Sequence, residues 1–227
     1  MTPWGLIRSG AGAPAWNMAV DEALLEGAES LQIPILRLYS WSEPAATFGY
    51  FQKFQEVAHW THLRPLVRRP TGGGLVPHDA DWTYTLVFPP EHPWYSLKAE
   101  QSYRQAHDWV AESFRELKVA TELAACCAKE LPGRCFIGAE KFDVLANGKK
   151  IAGAAQKRNK AGLLIQGSIQ PPRNQWRRQK WEEAFFQTGR TKFGCEWSDL
   201  QLSPELLDRA HRLNEEKYGQ ASYNERR

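Results

Sequence analysis

With 227 residues, 42% hydrophobic and 24% charged, the chain has the make-up of a folded globular domain rather than a disordered one, and the expectation is a single domain over residues 1–227. A formal net charge of +3 falls short of the basic surface of a dedicated nucleic-acid module, so no nucleic-acid partner is expected. Four cysteines, two of them adjacent (Cys126, Cys127, Cys135, Cys195), do not make the framework of a small secreted protein, and no 18-residue apolar run or basic leader appears; a cytoplasmic protein with no membrane partner is the expectation.

In chain order, "PAWNMAVDEALLEGAES" predicts a helix, because Trp16, Val20, Ala23, Leu24 and Gly27 recur on one stripe. Its acids Asp21, Glu22 and Glu26 are expected to face solvent. "IPILRLYSW" predicts a strand, and Pro44 breaks the chain before "AATFGYFQ". A short strand over Leu66 to Arg69 is expected to stop at Pro70, since a residue before proline avoids helical geometry. "TYTLVF" predicts another strand, ended by "PPEHPW".

Leu97 to Lys118 reads as an amphipathic helix with Tyr103, Ala106, Val110, Phe114 and Leu117 on one face, and "CCAKELPGRC" as a loop ending at Cys135. The strongest local signal is "KFDVLA-NG-KKIAGAA". Asn147-Gly148 suits a two-residue hairpin turn whose central positions both need positive φ. "GLLIQGSI" predicts a strand beside it. Two helices are expected in the tail, the second capped by Ser203 and anchored by Leu206 and Leu207. Strands interleaved with a few helices argue for a mixed α/β domain with a substantial sheet.

Two stretches carry chemistry. In "RRPTGGGLVPHD", Gly72, Gly73 and Gly74 allow a ligand to lie against bare backbone, and successive N–H groups there suit an anion or a developing oxyanion. Strand alternation would turn only one of Arg68 and Arg69 inward, and His78 and Asp79 follow closely. The stretch is neither a P-loop nor a dinucleotide fingerprint; a tight turn and a ligand cradle both fit it. In "GRCFIGAEKFDVLANGKKIAGAAQKR", Cys135 follows Arg134, whose charge would lower a thiol's pKa. Lys150 would share one side of its strand with Ala152 and Ala154, where small side chains and Gly153 leave a slot for a carbonyl or carboxylate. An inert buried cysteine and a solvated lysine remain open. His59 and His62 lack a third ligand, so no metal site is expected.

Taken together, "NMAVDEALL", "LRLYSWSEPAATFGYFQ", "RRPTGGGLVPHD", "GKKIAGAAQKR" and "LLIQGSI" resemble the lipoate-protein ligase A / lipoyl(octanoyl)transferase family of the biotin/lipoate ligase-like superfamily. The resemblance implies a mixed, largely antiparallel sheet flanked by helices, holding a medium-chain acyl group for transfer to one lysine of a lipoyl domain. It places the acyl-contacting lysine on Lys150, the glycine loop on Thr71, Gly72, Gly73 and Gly74 beside Arg69, and the loop histidine on His78.

Family ligases use ATP and Mg²⁺; octanoyltransferases use no cofactor and carry the acyl group on a cysteine, here matched by Cys135 in its "CF" context. Phe142-Asp143 stands where ligases commonly show asparagine-aspartate, and the stretch after Ile169 is short for an accessory domain; both favour transfer. The implied donor is octanoyl-acyl carrier protein. The implied acceptor is a lipoyl-domain protein, such as glycine cleavage H protein or a 2-oxoacid dehydrogenase E2. An ATP-dependent lipoate or octanoate ligase and a non-catalytic acyl or lipoyl-domain binding protein are the alternatives.

Overall fold

Asn147 and Gly148 both take positive φ, 51° and 70°, and close the hairpin that the sequence predicts. The structure, a computed structural model, describes residues 1–126, 138–171 and 176–226. Its strands are β1 (Thr2–Gly12), β2 (Ile35–Trp41), β3 (Ala45–Phe48), β4 (Leu66–Arg68), β5 (Val76–His78), β6 (Trp82–Phe88), β7 (Glu122–Leu123), β8 (Val144–Ala146), β9 (Lys149–Asn159), β10 (Gly162–Ile169) and β11 (Cys195–Asp199).

Among the described residues an eight-stranded sheet runs β11-β1-β2-β6-β10-β9-β8-β7, and a three-stranded sheet runs β4-β3-β5. In the large sheet β1 pairs in parallel with β11 and β2, and every other pairing is antiparallel. The expected mixed, largely antiparallel sheet flanked by helices is what forms.

Register explains the layering. Ile35, Val87 and Leu164 stand opposite one another across β2, β6 and β10, as do their neighbours Leu36, Leu86 and Ile165. Successive side chains leave a strand on opposite faces, so the two rows serve two cores. The first row packs under helix Pro14–Glu26, against Val20, Ala23 and Leu24. The second packs under helices Ala99–Glu116 and Arg178–Phe193, where Trp109 stacks on Phe185 with centroids 4.5 Å apart. Each fully buried aromatic or aliphatic side chain contributes about 1.5–3 kcal/mol. The central sheet is thus clamped rigidly from both sides.

The predicted helices and the strands β2, β4, β6, β8, β9 and β10 form within a few residues of their expected bounds, and β3 forms after Pro44, where only a chain break was expected. Ser203 does cap helix Pro204–Leu213, its hydroxyl accepting from Leu206 N–H at 3.3 Å. That helix is anchored by Leu206 as expected, but not by Leu207, which is among the exposed large hydrophobics; Ala210 and Leu213 are buried instead. The expected solvation of the first helix's acids is also corrected. Asp21 is fully buried, and its Oδ1 accepts from Arg37 at 2.7 Å, while Glu22 is buried and bound by Lys157, Lys217 and the Tyr218 hydroxyl. Only Glu26 stays partly open, paired with Arg209. Placed over a sheet rather than water, these carboxylates each find donors reaching from distant strands and helices.

Candidate active site

A cleft opens where the glycine turn after β4 meets the ends of β2, β5, β9 and β10. Its walls include Trp41, Thr47, Arg69, Gly73, Gly74, His78, Lys150, Gly153, Ala154, Ala155, Gln166 and Ser168. Of the predicted site residues, the fold gathers Arg69, Gly73, Gly74, His78, Lys150 and Gly153 on this one cavity. Thr71 lies just behind it, and Gly72 lies on the outer side of the turn, facing a second opening.

The turn is shaped by contacts that the run of glycines conceals. Gly73 takes φ +86°, which favours glycine. A Cβ on Gly49 would sit 1.9 Å from the Gly73 carbonyl oxygen, so the glycine of "FGYFQ" permits the turn to lie on the end of β3. Tyr50 N–H donates to the Thr71 carbonyl at 2.9 Å. Arg69 donates to Thr71 Oγ1 at 3.1 Å and to the Gly72 carbonyl at 2.5 Å, and Thr71 donates to Gln166 Oε1 at 2.8 Å.

Only Arg69 of the pair reaches the cavity, as strand alternation predicts, and Arg68 is buried away from it. Arg68 is enclosed because the C-terminal segment covers β4: it donates to the carbonyls of Tyr50, Gln52, Tyr223 and Asn224. Asp79, beside the loop histidine, is exposed.

His78 is buried and stacked on Trp41, with centroids 3.8 Å apart. Its Nδ1 lies 2.8 Å from Asp81 Oδ2 and its Nε2 2.8 Å from Thr47 Oγ1. Asp81 Oδ2 also accepts from Thr83 and Ser168. With both ring nitrogens engaged and Trp41 stacked on its face, the imidazole is held in place and plane at the cavity wall.

Lys150 and Asp143 form the opposite wall. Their side chains are 6% and 0% exposed, with Nζ 2.7 Å from Oδ2. Asp143 also accepts from the Tyr103 hydroxyl at 2.5 Å and from Glu140 N–H at 2.6 Å. Phe142 adopts φ 71°, an uncommon value for an aromatic residue, in the tight turn that lets the Asp143 carboxylate fold back onto Glu140 N–H. Burial and, to a lesser degree, the Asp143 charge raise the phenol pKa of nearby Tyr84 well above its ordinary value. Behind the lysine, fully buried His107 packs edge-on to Tyr103 with centroids 4.2 Å apart. Burial, helped by the Lys150 charge, lowers its pKa to about 3.

The lysine slot differs from expectation in its members. Register between β8 and β9 slips between Val144 and Leu145, so Ala152 faces Val144 while Lys150 faces Leu145. The bulge breaks the alternation that would have set Lys150 beside Ala152. Ala152 is packed in the core, and Lys150 shares the cavity with Gly153, Ala154 and Ala155. A Cβ on Gly153 would meet Lys150 Nζ at 2.9 Å, so the missing side chain makes room for the amine.

Sequence reading missed Asp143, Tyr103, Asp81, Trp41 and Gln166 as site members. Asp143 was visible only as half of the ligases' asparagine-aspartate pair, with no partner named for it, and Tyr103 as one more apolar position of its helix. Cys135 lies outside the described residues. The described chain resumes at Gly138, and Glu140 lines the cavity. Among the described residues there is no cluster of three or more metal-ligating side chains, and no helix is long and apolar enough to cross a membrane.

Residues 13–170, which include every residue lining the cavity, match the family model described as the lipoyl protein ligase A/B catalytic domain. The chain belongs to this family. Within it, the chain is 36% identical over 182 residues to octanoyltransferase LipM of Halalkalibacterium halodurans, a match that covers 74% of this chain and 66% of that protein. It is 34% identical over 180 residues to octanoyltransferase LipM of Bacillus subtilis, covering 73% of this chain and 64% of the relative. The matched stretch thus spans just under two thirds of these relatives' length.

Among solved structures, lipoate-protein ligase A bound with ATP superposes with TM-score 0.79 at 21% identity, covering 99% of this chain and 98% of that one. A bipartite lipoate protein ligase from Thermoplasma acidophilum does so with TM-score 0.79 at 18% identity, covering 99% and 97%. At these identities the structural likeness establishes the shared family fold.

Proposed function

We propose that the protein is an octanoyltransferase that moves an octanoyl group from acyl carrier protein, through a thioester on Cys135, to a lysine of a lipoyl-domain protein such as glycine cleavage H protein or a 2-oxoacid dehydrogenase E2. The observation that carries the reading is the buried Lys150 amine, fixed by Asp143 in the wall of a cavity lined by glycine and alanine backbone. The similarity to LipM octanoyltransferases and the "RCF" sequence just before Gly138 support it further.

In this reading the Cys135 thiolate attacks the carbonyl carbon of the carrier thioester. A sulfur–carbon bond forms, the carrier's sulfur–carbon bond breaks, and the carrier leaves as a thiol after taking a proton. Lys150 donates a charged hydrogen bond to the carbonyl oxygen, which becomes negative in the tetrahedral state, and glycine-turn N–H groups lie on the same cavity. The neutral amine of the acceptor lysine then attacks the enzyme thioester, forms the amide and releases the cysteine sulfur. Because a thioester is an energetic acyl donor, no nucleotide is required. Each buried CH₂ of the acyl chain adds about 0.8 kcal/mol of binding, which favours octanoyl over much shorter groups.

Intact-mass spectrometry after mixing with octanoyl-acyl carrier protein tests this directly. The wild type should gain one octanoyl group and Cys135→Ser should gain none. Acceptor octanoylation that needs ATP and free octanoate, with Cys135→Ser fully active, would instead identify a ligase.

A further inference from the structure

On the outer side of the glycine turn lies an open groove of about 780 Å³ that the catalytic cavity does not include. The two share their walls along the chain. Gly153, Ala154 and Ala155 of β9 line the cavity, and the next three residues, Gln156, Lys157 and Arg158, line the groove. Likewise Gly73 and Gly74 face the cavity, while Pro70 and Gly72 face the groove. A ligand seated in the groove therefore sits next to the acyl site.

The groove is basic by construction. Lys157, Arg158, Arg209, Lys217 and Arg226 line it against a single lining carboxylate, Glu216. Behind them, buried Glu22 serves both Lys157 and Lys217, and Glu26 pairs with Arg209, so carboxylates remain fewer than cations. Arg226 is held over the rings of Tyr50 and Tyr223, each 4.6 Å from the guanidinium carbon, and Arg158 over Tyr95. Ring faces hold a cation in place without cancelling its charge.

Beside Tyr50, at 5.1 Å between centroids, Phe51 is 74% exposed, one of three exposed large hydrophobic side chains among the described residues. An exposed aromatic that shares its groove with three arginines has the composition of a protein-contact anchor, and the groove is far larger than a lone phosphate ion requires.

We infer that this groove is the docking surface for the acidic carrier domain that delivers the acyl group, its carboxylates meeting Arg226 and Arg158 and its surface packing on Phe51 while the acyl arm passes the glycine turn into the cavity. The inference rests on the transferase reading above and adds to it where the donor sits. Opposite charges across such a rim speed encounter and fix orientation more than they add to the chemical step.

The test compares two donors with the full-length protein: octanoyl-acyl carrier protein, and octanoyl-pantetheine, which carries the same thioester without the protein. The readout is the ratio of kcat/KM for the first donor to kcat/KM for the second. Arg226→Glu is expected to lower that ratio about ten-fold, and Phe51→Ala to lower it several-fold. Arg8→Glu, at the opposite edge of the sheet, should leave the ratio at its wild-type value. Added salt should erode the wild-type ratio and change that of Arg226→Glu little. If both groove variants keep the wild-type ratio, the docking surface is wrong and the transferase reading stands. If the wild type transfers octanoyl from neither donor, the transferase reading itself fails, and the docking inference with it.

Discussion

Removing the carboxylate of Asp143 should cripple the site through Lys150 rather than through any substrate contact. The two side chains are 0% and 6% exposed and 2.7 Å apart, so the ammonium has almost no water to fall back on. Breaking a buried pair from one side typically costs about 3–5 kcal/mol, because the remaining charge stays desolvated. Asp143→Ala is therefore expected in that range. Lys150→Ala should cost less, about 1–3 kcal/mol, since the stranded carboxylate keeps the Tyr103 hydroxyl and Glu140 N–H as donors. The double variant should lose clearly less than the two singles combined, with a coupling of about 2 kcal/mol.

Urea denaturation of the four proteins of this cycle measures the coupling, and acceptor mass measures transfer. Lys150→Ala should lower kcat about 10²- to 10³-fold, the usual effect of losing one oxyanion donor. Asp143→Asn, which keeps the shape and loses the charge, should lower kcat with little change in KM. Additive stabilities within about 0.5 kcal/mol, or wild-type turnover by Asp143→Asn, would refute the claim that this carboxylate positions the lysine.

The buried His107 predicts an acid sensitivity. Its folded pKa is lowered to about 3, so below its ordinary value of 6.5 the unfolded chain binds a proton that the folded chain refuses. Stability should fall by about 1.4 kcal/mol per pH unit as pH drops from about 6.5 toward 3. The loss between pH 7 and pH 5, measured in urea, should shrink by about 2 kcal/mol in His107→Phe; an unchanged difference would count against it. The glycines separate by their surroundings. Gly49→Ala would drive a Cβ into the Gly73 backbone and should cost about 1–3 kcal/mol as well as activity, whereas Gly72→Ala meets nothing within 4 Å and should fold normally. Equal thermal stabilities for the two variants would show that the turn does not depend on that close approach.

What the sequence made legible is what local physics decides. The Asn147-Gly148 turn announces its hairpin because few other pairs tolerate two positive φ values, and helix Ala99–Glu116 announces itself by period. β1 and β11 stayed hidden. β1 carries Pro3 and three glycines, with a bulge between Arg8 and Gly10, and in β11 only Cys195 is buried, so neither shows alternation. Both belong to parallel pairings, whose partners lie far along the chain. β5 is three residues long and interrupted by Pro77. In the site, the fold brings Lys150 and the glycine turn, both singled out by residue type, onto one cavity. The partners could not be read, because Tyr103 and Asp143 meet across 40 positions and Ser168 and Asp81 across 87.

The arginines before the glycine turn show why a motif's charge is a poor guide to its task. Read in sequence, "RRPTGGG" places two cations beside bare backbone, one of them turned toward it, and suggests that this one awaits an anion. In the fold, Arg68 gives its donors to four carbonyls of neighbouring segments, and Arg69 brackets its own turn through Thr71 and Gly72 while still reaching the cavity wall. Carbonyls need donors as much as a ligand does, and a buried guanidinium can satisfy several at once. Part of the positive charge is therefore committed to holding Gly73 in its left-handed conformation against Gly49. That leaves Lys150, anchored by Asp143, as the cation best placed to answer the charge that develops on an acyl oxygen.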